Sequence, residues 1–218
     1  MRNKSGQVTI FVIIAVIVLA AIAAFFVFRG SIIQGEIPAD IQPVYNAFLS
    51  CIEESTATGI SILESQGGYI ELPDFEAGSF YSPFSSQLDF FGNPIPYWYY
   101  VSGNNIQKEQ VPTVKGMEEQ LSNYVNDGIS RCRFDDYYGQ GFEIHFDNPK
   151  TTADISDNQV VISVSTSMDI SRGNETALIK KHDVSVNSNL GKLYNSAKKI
   201  YDYEQETLFL EQYGIDTL

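Results

Sequence analysis

VVISVSTSMDISRGNETALIKKHDVSV, residues 160–186, is the stretch that decides the fold. Val160, Ile162, Val164 and Thr166 alternate with Val161, Ser163 and Ser165. That period of two is the signature of a strand with one buried and one wetted face. Ser171-Arg172-Gly173-Asn174 has turn chemistry, and Ala177 to Val186 resumes strand composition, so Val160 to Ile170 and Ala177 to Val186 read as an antiparallel hairpin. Upstream, Glu143 to Phe146 and Thr152 to Ser156 are two shorter strands that extend the sheet. Downstream, Leu190, Leu193, Tyr194, Ala197, Ile200 and Tyr201 recur at helical spacing and predict a helix covering one face of it. Two more amphipathic helices precede the sheet. One carries Ile41, Val44, Tyr45, Phe48, Ile52, Ile60 and Leu63 and ends before Gly67-Gly68, with Gly59 weakening its middle; the other carries Met117, Leu121, Val125, Ile129 and Cys132. Glu118 and Glu119 lie near the start of the second, where the macrodipole favours acids. An α+β domain results, an antiparallel sheet packed against about three helices.

Between the first two helices the pattern weakens. Tyr69 to Leu72 reads as a short strand stopped by Pro73, and residues 74–94, rich in Phe, Ser, Gly and Pro, read as a long loop or irregular lobe. Ile95 to Val101 (IPYWYYV) has strand composition, with Pro96 arguing for an edge position and Gly103-Asn104-Asn105 closing it. Its alternation sets Tyr97 and Tyr99 on one face and Trp98 and Tyr100 on the other. Core packing is the favoured use of so many aromatics. The functional alternative is a stacking platform for a ligand such as a sugar, or a partner contact, formed by Tyr97, Trp98, Tyr99 and Tyr100, with Trp98 and Tyr100 the leading pair.

The other end of the chain places the domain in the cell. Val8 to Phe28 is 21 residues without a charge, which as a helix of roughly 30 Å matches the hydrocarbon thickness of a bilayer. A cleaved secretory signal is the alternative, but its apolar core is usually only about 7 to 15 residues. Arg2 and Lys4 precede the span, whereas a lone Arg29 follows it together with Glu36 and Asp40, so the N-terminus is expected in the cytoplasm and the rest outside. The division is then 1–7 a cytoplasmic leader, 8–28 a membrane helix, 29–39 a juxtamembrane linker and 40–218 an extracytoplasmic α+β domain. Outside the leader and span, 11 basic residues face all 27 acidic ones, a net charge near −16. Nucleic acid is excluded as a partner, because phosphate neutralisation needs clustered Lys and Arg. The last stretch, EQETLFLEQYGIDTL after Tyr203, has no clear domain terminator and raises the expectation of a chain shorter than its relatives.

Lys4-Ser5-Gly6-Gln7-Val8-Thr9, a basic leader followed by Gly-Gln and an uninterrupted apolar helix, resembles the class III signal peptides of archaeal type IV pilins and prepilin-like membrane-anchored surface proteins. The resemblance covers about the first 30 residues. It implies cleavage of the Gly6–Gln7 bond by a prepilin peptidase, with the apolar helix retained and available for self-association. Many pilins carry Glu at the fifth mature position, and the equivalent residue here is Phe11, so the assembly contact of that Glu has no counterpart. A plain signal anchor with Gly6 and Gln7 at its polar edge is the other reading.

Cys51 and Cys132 sit on the apolar stripes of the first two helices. Outside the membrane such a pair is expected as a disulfide; two buried thiols are the alternative, and a metal site lacks a CxxC. Asn174-Glu175-Thr176 is a glycosylation sequon in the hairpin turn, on the outer side; Asn3-Lys4-Ser5 has the same pattern but lies inside. Catalytic patterns are missing: no GxSxG, HExxH or P-loop occurs, and Gly139-Gln140-Gly141 is not a dinucleotide loop. His145 and His182 are assigned structural or surface roles, and Asp135-Asp136, Asp147, Asp154 and Asp157 a solvated face without EF-hand spacing. No enzyme, cofactor or metal is expected. The sequence points to a membrane-anchored cell-surface structural or interaction protein of pilin-like kind, contacting the bilayer through Val8 to Phe28 and other surface proteins outside. The alternative is an anchored binding module or sensor using 97–100.

Overall fold

The computed structural model describes residues 37–81 and 83–217. Gly6, Gln7, Phe11 and the apolar stretch Val8 to Phe28 lie outside the described residues; among those described, no helix is long and apolar enough to cross a membrane.

Helix α1, Gln42–Ser65, opens with a proline in its first turn and runs unbroken through Gly59, which is buried. Val44, Phe48, Ile52, Thr56, Ile60 and Leu63 form its buried stripe at three- and four-residue steps. Helix α2, Val114–Ile129, starts at Thr113, whose hydroxyl accepts the Gly116 amide at 3.0 Å, and buries Met117, Leu121, Val125 and Ile129. The two helices pack against each other, and Gly128 makes the close approach possible: a Cβ there would lie 2.0 Å from Ser55 Oγ. Near this crossing Cys51 and Cys132 form the expected disulfide, with Cα atoms 5.9 Å apart.

The main sheet has four antiparallel strands, β5 (Glu143–Phe146), β6 (Lys150–Ile155), β7 (Gln159–Arg172) and β8 (Glu175–Asn187), with a one-turn helix α3 (Asp135–Tyr138) leading in. Strand β7 is central. Strand β8 pairs with one edge of β7 along its length, while β5 and β6 lie end to end on the other, β5 opposite Met168 to Ser171 and β6 opposite Val160 to Ser165. The alternation read from sequence decides which face is covered. Val160, Ile162, Val164, Met168 and Ile170 of β7, with Ile179, His182 and Val184 of β8, are buried. Helix α1 covers that face over β8 and α2 over β6; Ser165, Asp169, Lys180, Asp183 and Ser185 are exposed on the sheet.

Between Ser165 and Met168 the β7–β8 register slips by one residue, a bulge opposite the gap between β5 and β6. Backbone and side-chain groups of the bulge find other partners, the Ser167 carbonyl accepting the Asp147 amide at 3.2 Å. Thr166 Oγ1 donates to the Asp147 carbonyl at 2.8 Å, and His182 Nε2 reaches the Thr166 carbonyl at 3.1 Å. A carbonyl only accepts, so this ring carries its proton on Nε2, and Nδ1 is left buried without a partner. Phe48 stands edge-on to the imidazole at 5.0 Å, and Tyr45 lies tilted to it at 5.6 Å. Burial lowers the His182 pKa from 6.5, opposed by its bond to Thr166 and by Asp183. A folded-state value below the unfolded one means the unfolded chain takes up the extra proton, so stability is complete above about pH 6.5 and is lost as pH falls below it. We expect stability to decline as the pH falls below that point, and a His182→Gln variant to show a flatter profile between pH 7.5 and 5.5 in thermal melts. Equal slopes in the two proteins would remove His182 as the cause.

Three expectations are corrected. Tyr69 to Leu72 is not a strand: the Ile70 and Glu71 amides both donate to Gln120 Oε1 at 2.8 Å, so a side chain of α2 replaces the ladder. Ile95 to Val101 is not one strand either. It is divided between β2 (Asn93–Pro96), paired with β1 (Gln87–Phe90), and β3 (Tyr99–Val101), paired with β4 (Gln107–Glu109): the Tyr97 amide still donates to Ser86 beside β1, whereas the Trp98 carbonyl already accepts the Gln110 amide beside β4, so the chain changes partner between them. The helix α4, Leu190–Thr207, buries only Leu190 and Gly191 and does not cover the sheet face; Tyr194 instead donates to the Pro112 carbonyl at 2.8 Å and Tyr201 to Glu109 at 2.6 Å. Two helices, α1 and α2, therefore occupy the place expected for three. A last helix, α5 (Phe209–Thr217), has no buried residue.

Candidate functional site, an aromatic lobe

Residues 72–109 form a lobe built from two small hairpins, β1–β2 and β3–β4. Proline and the scarcity of strand-length apolar alternation keep these strands to three or four residues, and they pair only with each other. The lobe is held by specific bonds. Glu76 and Ser86 exchange two hydrogen bonds across the neck of the loop between them, at 2.9 Å and 2.8 Å. Gln110 donates to the Ser86 carbonyl from its side chain and to the Trp98 carbonyl from its amide, both at 2.9 Å.

The four aromatic residues singled out in sequence go to two places. Trp98 donates Nε1–H to the Gly67 carbonyl at 2.9 Å, and its ring packs 6.0 Å from Tyr194 and 5.7 Å from Tyr201, which ties the lobe to α4. Tyr97, Tyr99 and Tyr100 come together with Phe84 and Val101 around a cleft of about 360 Å³. Tyr100 is itself buried, its hydroxyl bonded to Glu76 Oε1 at 3.0 Å, and Lys108, its cross-strand partner, forms an ion pair with the same carboxylate. The Lys108 ammonium and then the Tyr100 hydroxyl hold the Glu76 carboxyl below its ordinary range; burial and Glu76 push Tyr100 up, and Glu76 raises Lys108. The Tyr100 hydroxyl is thus held by the Glu76–Lys108 charge pair.

No protein-family model, curated protein or solved structure matches this chain. The site must be read from its own chemistry.

A larger aromatic surface lies outside residues 97–100. Phe80, Tyr81 and Phe91 are 93%, 88% and 95% exposed, and Phe75, Phe84 and Phe90 are also exposed. Phe80 meets Tyr81 edge to face at 5.3 Å, and Phe90 meets Phe91 at 4.8 Å. Scattered apolar residues on a surface are ordinary, but six aromatics in one 17-residue stretch, 75–91, are not. A sequence signal for them existed: residues 77–88 and 90–107 contain no charge, within a chain of net charge −13. Without a hydrophobic period, composition alone could not say whether those rings turn inward or outward.

The remaining polar candidates are placed as follows. His145 is exposed on the sheet and His182 is in the core. Asp135, Asp136, Asp147, Asp154 and Asp157 are all exposed, and among the described residues no group of three or more His, Cys, Asp or Glu converges to hold a metal. Asn174 is exposed in the β7–β8 turn.

Proposed function

We propose that this chain is a membrane-anchored cell-surface protein whose outer domain makes contacts through the aromatic lobe. The observation that carries this reading is the exposure of six aromatic side chains on a nearly uncharged part of an otherwise acidic chain. The Cys51–Cys132 bridge supports an oxidising compartment for the domain, and the exposed Asn174 suits a glycan there. Anchoring by Val8 to Phe28 and processing at Gly6–Gln7, in the manner of pilin-like proteins, belong to the same proposal.

A photoreactive phenylalanine analogue at position 80 of the full chain, illuminated in native membranes, tests the contact. Adducts are expected from position 80 and not from position 152, which lies exposed on β6 of the polar sheet face. Absence of adducts at both positions would reject the lobe as a contact surface. N-terminal sequencing of the same material separates the two kinds of anchor: a start at Gln7 makes the protein pilin-like, a start at Met1 leaves a plain signal anchor.

The Phe84–Tyr97–Tyr99 cleft favours a second reading, a site for a small ligand such as a sugar, since flat rings stack on the apolar faces of such rings. A saccharide at a hundredfold its Kd should then stabilise the protein by about 2.7 kcal/mol, and a broad panel that leaves the melting temperature unchanged would eliminate it.

A further inference from the structure

We infer that the tip of the β1–β2 hairpin, Phe90-Phe91, is a membrane-interface anchor whose partner is the lipid surface of the bilayer itself; this rests on the anchored, lobe-mediated reading above. The tip is built to hold an aromatic ring away from the protein. Phe90 pairs with Asn93, so the two residues between them, Phe91 and Gly92, make the turn, and both have positive φ, +52° and +84°. Tight two-residue hairpins require that conformation, and Gly or Asn normally supplies it; a bulky residue there is an outlier. Asp89 Oδ1 accepts the Gly92 amide at 2.7 Å and fixes the turn. The disfavoured backbone directs Phe91 outward at 95% exposure, with Phe90 as its ring neighbour.

Size and shape select the partner. Two phenylalanines, one fully and one half exposed, offer on the order of 300 Å² of aromatic surface. A stable protein–protein interface needs about 800 Å² from each side. The Phe91 ring also stands almost fully in solvent, and such a ring demands a matching pocket on a protein but none on a bilayer, where aromatic residues settle at the headgroup level. The surroundings agree, for apart from Asp89, whose carboxylate is committed to the turn, no charge lies between Ala77 and Gln107. So small a patch is adequate when a tether already holds it near the surface, since the second contact then forms at high effective concentration.

The test uses the full chain reconstituted in phosphatidylcholine vesicles, a neutral surface that does not repel the acidic domain. Phe91→Trp adds one indole to the native Trp98, which is hydrogen-bonded within the protein and serves as the baseline. The added emission should be blue-shifted and lose roughly half its intensity when the acyl chains carry bromine near the headgroups, as an interfacial ring would. Emission at the wavelength of a water-exposed indole, unquenched by bromine, overturns the inference. A blue shift that depends on protein-to-lipid ratio and not on bromine also overturns it and assigns the tip to a second copy of the chain. Phe90→Trp repeats the measurement should Phe91→Trp disturb the turn, with an unchanged melting temperature as the criterion of folding. Adducts at position 80 without bromine quenching at 91 would leave the interaction reading standing and remove only the lipid.

Discussion

Reduction of the Cys51–Cys132 bridge should destabilise the domain by about 4 kcal/mol, a figure set by the length of chain it closes. The two cysteines are 81 residues apart, so the bridge removes a large part of the freedom of the unfolded chain and, in loop-closure terms, belongs among the larger single contributions to a domain of this size. Its placement adds to this. It joins α1 to the turn just after α2, the two helices that cover the sheet, at the crossing where Gly128 lets them approach. A Cys51→Ser, Cys132→Ser double variant should show the same loss without reductant and no further loss with it. The midpoint of thermal unfolding should fall by roughly 10 °C. A loss confined to the reductant-treated protein, absent in the double variant, would trace the effect to something other than the bridge.

Phe48→Ala should cost about 3–5 kcal/mol, the range for removing a large ring from a packed core. Phe48 is completely buried, and its ring lies 5.0 Å from His182, 6.1 Å from Phe146 and 6.4 Å from Phe134, so one side chain of α1 touches β8, β5 and the segment before α3. Those neighbours come from separate parts of the backbone and cannot all close on the void. The substitution should also change the acid response. With the ring gone, water reaches the imidazole, the desolvation that depresses its pKa weakens, and the loss of stability below pH 6.5 becomes shallower. Denaturant unfolding of the wild type, Phe48→Ala, His182→Gln and the double variant at two pH values gives the coupling directly. Additive effects at both pH values would mean that ring and imidazole do not act on each other.

How far the fold could be read depended on periodicity. The hairpin 160–186 and the stripes of α1 and α2 were legible because each repeats a period over many residues, and burial follows the alternation along β7, breaking on β8 only at Lys180-Lys181 beside the bulge. The disulfide was legible because each cysteine lay on a stripe facing the same core. Strand order was not, since β5 and β6 lie end to end on one edge of β7 while β8 takes the other with a bulge at Ser165 to Met168, and nothing in VSTSM marks an extra residue. Helix α4 has the same apolar spacing as a core helix, yet its ring contacts are to Trp98 in the lobe; spacing reveals that a helix has a partner, not which one. At the candidate site, the aromatic run IPYWYYV marks 97–100, while the most exposed rings, Phe80, Tyr81 and Phe91, lie in a stretch with no period at all.

The bridge has a further consequence if the protein is pulled. The whole aromatic lobe, 72–109, lies within the loop that Cys51 and Cys132 close. Tension entering the domain from its N-terminal side and leaving toward its C-terminus would cross from α1 to the end of α2 through sulfur, and the chain between the cysteines would carry none of it. At roughly 3.5 Å per residue, close to 280 Å of contour stays locked, and the aromatic lobe is shielded from the stretching that would unravel everything around it.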